Sequence, residues 1–112
     1  MDPALFALSR ASLTLALLRA DLIQLAGNPL TTEDVRNAIA MGLPVLDQDQ
    51  RDLDRRINVF VGAGTFPKPT DAALADLRAA TESLANAIAH DQQTASLFNL
   101  AVALASAAKK VG

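Results

Sequence analysis

The sequence predicts an all-α fold, an up-down-up-down antiparallel four-helix bundle, and three observations carry this prediction. Alanine and leucine fill 41 of the 112 positions (23 Ala and 18 Leu), and both are strong helix formers. Apolar residues recur at three- and four-residue steps in four segments. Turn and capping residues separate those segments. Because this length fits one ordinary domain, we expect residues 1–112 to form a single helical-bundle domain.

The first helix is predicted between Asp2-Pro3 and Gly27-Asn28-Pro29. Asp2 is a suitable N-cap, and Pro3 suits the first helical position because the missing N–H would have no partner there. Gly27 provides a C-cap, and Pro29 prevents the helix from continuing. The apolar stripe of this helix consists of Leu5, Leu8, Ala11, Leu15, Leu18, Leu22 and Leu25.

The second helix is predicted to open at Thr31-Thr32-Glu33-Asp34, which combines a cap with an acidic first turn. Pro44 lies inside it, and an interior Pro costs about 3 kcal/mol. The helix can break at Gly42-Leu43-Pro44 and restart, or it can continue with a kink. The apolar positions keep one face across the proline, which favours a single kinked helix. These positions are Val35, Ile39, Gly42 or Leu43, Leu46, Leu53, Ile57 and Phe60.

Two further helices are predicted after the Gly- and Pro-rich loop at 62–69. Thr70-Asp71 caps the third helix, and the polar turn 90–94 separates it from a fourth helix capped by Asp91 or Thr94. One helix over 71–110 is the alternative. A shift in the phase of the apolar stripe at the turn favours two helices, and Lys109-Lys110 suits a helix C-terminus. Connections this short make antiparallel packing of consecutive helices the expectation.

The composition argues against catalysis and metal binding. The chain has no Cys, Trp or Tyr, one His, two Glu and three Lys. Neither Glu has a His three positions later, as di-iron bundles require, and no orienting group for a His base can be identified. We therefore expect no catalytic residue, no metal site and no cofactor. The net charge of −2 gives no attraction to nucleic acid or anionic lipid.

One charge-dense stretch covers residues 47–56. Its carboxylates suggest a calcium loop, but Asp52 stands where such a loop needs Gly, and Asn58 stands where it needs Glu. Opposite charges three and four residues apart, such as Asp47 and Arg51, instead indicate a solvated helix face. We interpret the stretch as that face.

His90 is the single histidine. A four-helix domain of this length with one histidine is similar to histidine phosphotransfer domains, in which Leu, Lys and Gly follow the phosphorylated residue. Here Asp91-Gln92-Gln93-Thr94 follows, and His90 falls near a predicted helix end. We therefore interpret His90 as a polar residue at a helix C-terminus.

The first helix carries a second apolar group, because Phe6, Leu13 and Leu17 cluster opposite its main stripe. The fourth helix has the same tendency through Phe98 and Val102. A helix in a monomeric bundle needs one buried stripe. The second group therefore indicates a wide buried sector, a surface for self-association, or a groove for an apolar ligand.

We predict that these five residues form an interface in a non-catalytic interaction or structural module. The expected partner is a second copy in a homodimer or another protein. The alternative function is a carrier or sensor that binds a lipid or other apolar small molecule inside the bundle. The cysteine-free composition suits the cytoplasm. No basic stretch precedes the first apolar run and charges interrupt it, so neither a secretory signal nor membrane insertion is expected.

Overall fold

The computed structural model describes residues 2–64, 68–90 and 93–111. It contains four helices, and the described residues include no strand. The helices are α1 (Pro3–Ala26), α2 (Glu33–Ala63), α3 (Asp71–Ala89) and α4 (Thr94–Lys109). The all-α prediction is confirmed, and the alternative of one helix over 71–110 is wrong, because α3 ends at Ala89.

The predicted N-caps of the first three helices are confirmed. The Asp2 carboxylate accepts hydrogen bonds from the backbone N–H groups of Ala4 and Leu5, at 2.8 and 3.2 Å. The Thr32 and Thr70 hydroxyls each accept from the backbone N–H three residues later, at 3.4 and 3.1 Å. Each cap satisfies helix N–H groups that have no intrahelical acceptor. At the other end of α2, Gly64 adopts φ +69°, a left-handed conformation that favours glycine.

The fourth helix begins differently from the prediction. Thr94 is its first helical residue, so the prediction of Thr94 as N-cap is wrong, and the alternative cap Asp91 lies outside the described residues. Gln93 occupies the cap position, and its side chain makes no capping hydrogen bond. At the C-terminal end, Lys109 closes the helix and Lys110 is its C-cap, as the sequence predicts.

The second helix runs through Pro44 without interruption. The predicted continuity is therefore confirmed and the alternative break at residues 42–44 is wrong, while the kink stays a prediction. Pro44 has no N–H to donate to the carbonyl of Ala40. Both residues are exposed, so water can satisfy that carbonyl.

Contacts between the helices give alternating directions, as predicted. Arg19 of α1 pairs with Asp47 of α2 at 2.5 Å, and Ser12 donates a hydrogen bond to Asp54. From the Ser12–Asp54 contact to the Arg19–Asp47 contact, the residue number increases in α1 and decreases in α2, so these helices are antiparallel. α4 is parallel to α2, because Phe98 lies over Gly42 and the Arg56 guanidinium donates to the Lys109 carbonyl further along.

The spatial order of the helices is α1, α2, α4, α3. Both α1 and α4 pack against α2 and α3, whereas α2 and α3 have no Cα atoms within 8 Å of each other among the described residues. Two antiparallel hairpins, α1–α2 and α3–α4, therefore lie side by side. α1 stands diagonally across from α4, and consecutive helices are neighbours only within a hairpin, so the expected packing of α2 against α3 is wrong.

One apolar core joins all four helices, with α1 contacting each of the other three. A fully buried leucine contributes about 1.5–3 kcal/mol relative to an exposed one. The two buried polar residues of the described chain, Thr14 and Thr81, donate to the carbonyls of Arg10 and Leu77 at 2.9 and 2.8 Å. The largest fully buried side chains are Leu8, Leu15, Leu18, Leu22, Ile39, Leu77, Leu84, Leu104 and Val111.

Candidate interaction surfaces

The α1 face, which we define as Phe6, Leu13 and Leu17, points away from the core. Each of these side chains is more than half exposed, from 53% at Phe6 to 61% at Leu13. The opposite side of α1 is its buried stripe, including Leu8, Leu15, Leu18 and Leu22. A wide buried sector therefore does not account for the second apolar group, and the α1 face has no cover within the described chain.

Charged residues border the α1 face on one edge. At about 100° per residue, Arg10 and Asp21 lie on the same side of the line through Phe6 and Leu17. Arg10 is exposed and Asp21 is partly exposed, and neither forms an ion pair with a described residue. Small residues occupy the other edge, and these are Ser9, Ala16 and Ala20.

A groove of about 160 Å³ runs along the charged edge between α1 and α3. Phe6 and Arg10 line it from α1, and Arg78 and Glu82 line it from α3. Arg10 and Glu82 form no ion pair, and their charged groups are therefore more than 4 Å apart. Arg10 thus has an acidic residue near it without being held by one.

The fourth helix places Phe98 and Val102 on a different side of the molecule. Phe98 is half-buried and lies against the backbone of Gly42, where any Cβ would overlap the ring atoms Cζ and Cε1. Val102 is more than half exposed. Because α4 is diagonal to α1, these two residues do not join the α1 face. The structure therefore divides the five predicted interface residues between two surfaces.

Sequence reasoning missed two residues of the second surface. Met41 and Val45 of α2 are exposed, Met41 to 79%, and they lie one position before and three positions after Gly42. The Gly42–Phe98 contact joins α2 and α4 at this level, and Val102 follows Phe98 by one turn of α4. We call these four residues the α2–α4 strip. Its sequence signal is the four-residue spacing of Met41 and Val45 outside the main stripe.

An open cleft of about 660 Å³ lies at the end of the bundle where α2 and α4 begin. The parallel directions of α2 and α4 bring both N-termini to this end. Thr31, Thr32, Asp34, Gln93 and Thr94 contribute polar atoms to its lining. The apolar part of the lining consists of Leu25, Leu30, Val35, Ala38 and Ala95.

A second cleft of about 350 Å³ lies further along α2 and α4. Asp49, Arg56 and Lys109 surround it, and Ala105 and Ala108 leave the space open because their side chains are short. Burial raises the pKa of the Asp49 carboxyl above its ordinary value of 3.8. The nearby Asp52 also raises this pKa, and Lys109 opposes the increase.

The charge-dense stretch is only partly the solvated face that the sequence predicts. Asp52 and Arg55 form an exposed ion pair at 3.2 Å, as the three-residue spacing indicates. Asp47 and Asp54 instead bind Arg19 and Ser12 of α1. One edge of the stretch therefore holds α1 and α2 together.

His90 lies at the C-terminus of α3, as interpreted from the sequence. It is the C-cap, it is exposed, and its Nδ1 lies 2.7 Å from the Asn86 carbonyl. It does not line any of the clefts above. Across residues 2–64, 68–90 and 93–111, no three His, Asp or Glu side chains converge into a metal-binding group.

Comparisons of the chain with protein-family models, curated proteins and solved structures found no match. Among the described helices, none is both long and apolar enough to cross a bilayer. The function of the chain therefore has to follow from its own surfaces and clefts.

Proposed function

We propose that this protein is a non-catalytic helical interaction module that self-associates as a homodimer through the α1 face. One observation carries the proposal: Phe6, Leu13 and Leu17 form an uncovered apolar line along one helix. Apolar surface of this kind is typical of protein–protein interfaces. Burial of exposed apolar side chains is the main driving force of association.

The α1 face is better suited to this role than the α2–α4 strip because the helix that carries it is packed firmly in the core. The opposite side of α1 is fully packed in the core and contacts all three other helices. The face is therefore held on a rigid element, which lowers the entropy lost on binding. In the strip, Phe98 is already half-buried against Gly42 and has less surface left to bury.

The test compares wild type with the double variant Leu13→Lys/Leu17→Lys by analytical ultracentrifugation. We expect a dimer mass for wild type and a monomer mass for the variant, because two charges would be buried at the interface. Circular dichroism checks that the variant stays helical. Met41→Lys/Val45→Lys is the matched control on the α2–α4 strip and should leave the dimer intact. A monomeric wild type, or a folded variant with unchanged mass, contradicts the proposal.

A second candidate function is a carrier or sensor for a lipid or other apolar small molecule. The cleft of about 660 Å³ where α2 and α4 begin favours it, because ligand sites commonly measure about 300–1,000 Å³ and are largely apolar. Leu25, Val35 and Ala95 supply such a lining. Native mass spectrometry of freshly purified protein is the test, with a co-purified small-molecule mass as the supporting result. Ligand-free protein counts against this candidate.

We also propose that the protein is cytoplasmic. The chain has no cysteine, so its fold does not depend on disulfides that the reducing cytoplasm would break. Cell fractionation of the native host, with antibody detection of the untagged protein, tests this location. Recovery in the secreted or membrane fraction contradicts it.

A further inference from the structure

We infer that two copies of this chain pair antiparallel along α1, about a two-fold axis at the level of Leu15 and Ala16, with Arg10 of each copy bound to the partner's Asp21. The inference rests on the proposed function and deepens it by naming the partner and its orientation. Three features of α1 support it: the spacing of its exposed leucines, the charged residues on one edge of the α1 face, and the small residues on the other edge.

The two leucines of the α1 face are arranged symmetrically about Leu15, and the position symmetric to Phe6 is Gln24. Leu13 and Leu17 lie two residues before and after Leu15, while Phe6 and the exposed Gln24 lie nine residues before and after it. At about 100° per residue these side chains share one narrow sector of the helix. In an antiparallel pair centred here, Leu13 meets the partner's Leu17. A two-fold interface requires such self-complementarity.

The centre of the border charges lies half a residue further along the helix. Arg10 and Asp21 lie equally far on either side of the point between Leu15 and Ala16, on the same edge of the α1 face. A two-fold rotation keeps both on one edge and brings Arg10 to the level of the partner's Asp21, twice in each dimer. A parallel two-fold pair would instead turn this edge toward the partner's small residues, where neither charge would meet an opposite charge. The charges therefore favour the antiparallel pair.

Both charges are available for this contact. Arg10 and Asp21 have no ion pair with a described residue, and Glu82 lines the same groove as Arg10 without pairing with it. On the opposite edge, Ser9, Ala16 and Ala20 have short side chains that let a second helix approach closely. Arg19, beyond that edge, is already paired with Asp47 of α2.

A charge exchange tests the ion pairs. We expect Arg10→Asp and Asp21→Arg each to raise the dimer dissociation constant by about tenfold, because the symmetric dimer loses two pairs and gains two repulsions. The double variant Arg10→Asp/Asp21→Arg should return the constant to near the wild-type value. Asp76→Asn, which removes an exposed carboxylate from α3, is the control and should leave the constant unchanged. Sedimentation equilibrium at low salt is the measurement.

Disulfide cross-linking tests the orientation, since the wild-type chain has no cysteine. We expect a mixture of Phe6→Cys and Gln24→Cys proteins to form the mixed disulfide under mild oxidation, while neither protein cross-links with itself. Disulfide-linked dimers of the Phe6→Cys protein alone indicate a parallel pair and overturn the inference. So does the absence of every cross-link in a sample that remains dimeric.

The two proposals fail in different ways. If wild type is dimeric and Leu13→Lys/Leu17→Lys is monomeric, but the charge exchange gives no recovery, the antiparallel ion-paired geometry is wrong and the proposed function stands. If wild type is monomeric at every accessible concentration, the proposed self-association fails and the inference fails with it.

Discussion

At the scale of single residues, Asp49 shows how a local cleft changes the chemistry of one side chain. Its carboxylate lies between α2 and α4, where partial burial removes some of the water that would stabilise its charge. Lys109 attracts the charged form, but burial is the larger effect and the pKa rises. The ionised form of Asp49 therefore lowers the free energy of unfolding.

We predict that Asp49→Asn raises the free energy of unfolding at neutral pH. A carboxyl whose pKa is higher in the folded state stabilises the fold below its ordinary value of 3.8, and this contribution is lost as the pH rises through the folded-state pKa. The variant should therefore gain stability over wild type at pH 7 and not at pH 3. Urea unfolding at both pH values is the measurement.

The matched control for Asp49→Asn is Asp76→Asn, which removes an exposed carboxylate from α3. It should leave the free energy of unfolding within experimental error at both pH values. An equal gain in both variants would mean that the effect comes from net charge and not from the cleft.

Residue-level features were predictable where their cause is local in sequence. The caps at Asp2, Thr32 and Thr70 each bond to an N–H two or three residues away, so capping preferences were sufficient to find them. The environment of Asp49 was not predictable in this way. It depends on Ala105 and Ala108, which come from another helix.

At the scale of elements, the contact between α2 and α4 depends on the absence of a side chain at Gly42. The Phe98 ring occupies the space where a Cβ would stand. Helix propensity alone gives Gly a cost of about 1 kcal/mol relative to Ala inside a helix. The close approach of the ring provides a reason for glycine at this position, which the sequence pattern identified only as part of the apolar stripe.

We predict that Gly42→Ala destabilises the protein by about 1–3 kcal/mol, because the new methyl group forces the Phe98 ring out of its position. Gly62→Ala is the matched control in the same helix, where an added Cβ meets nothing within 4 Å. The control should be neutral or stabilising by up to about 1 kcal/mol. Thermal and urea unfolding of both variants provide the comparison, and equal effects would contradict the role of Phe98.

The continuity of α2 was predictable because its apolar positions keep one phase on both sides of Pro44. If the helix broke at Pro44, its second half could rotate relative to the first. The apolar residues of the two halves would then not need to lie on one common face. The cost of the proline is limited because Ala40 and Pro44 both face water. Pattern and solvent exposure thus agree on one long helix.

At the scale of the whole molecule, the number and directions of the helices were predictable, but their neighbours were not. Short connections fix antiparallel packing within each hairpin. Residues 64–70 connect the hairpins, and this length allows α3 to follow α2 on more than one side. Side-chain packing between the hairpins decides which helix lies beside α2. The Gly42–Phe98 contact joins α2 to α4, and the sequence does not show that these two helices are adjacent.

The same arrangement explains why the predicted interface residues divide. Phe6, Leu13 and Leu17 share one helix, so helical periodicity was sufficient to group them. Their relation to Phe98 and Val102 depends on the position of α4 relative to α1. That position is diagonal, and no property of either segment alone reveals it.

The side-by-side hairpins also have a kinetic consequence. Each hairpin forms from nearby residues, whereas the Gly42–Phe98 contact closes a much longer loop at a larger entropic cost. We expect the meeting of the two hairpins to limit the folding rate. Phe98→Leu and the ion-pair variant Arg19→Gln should therefore both slow refolding in stopped-flow experiments, because the α1–α2 hairpin is already formed when the two hairpins meet. If Arg19→Gln mainly accelerated unfolding, the hairpins would instead meet early and complete their own packing afterwards.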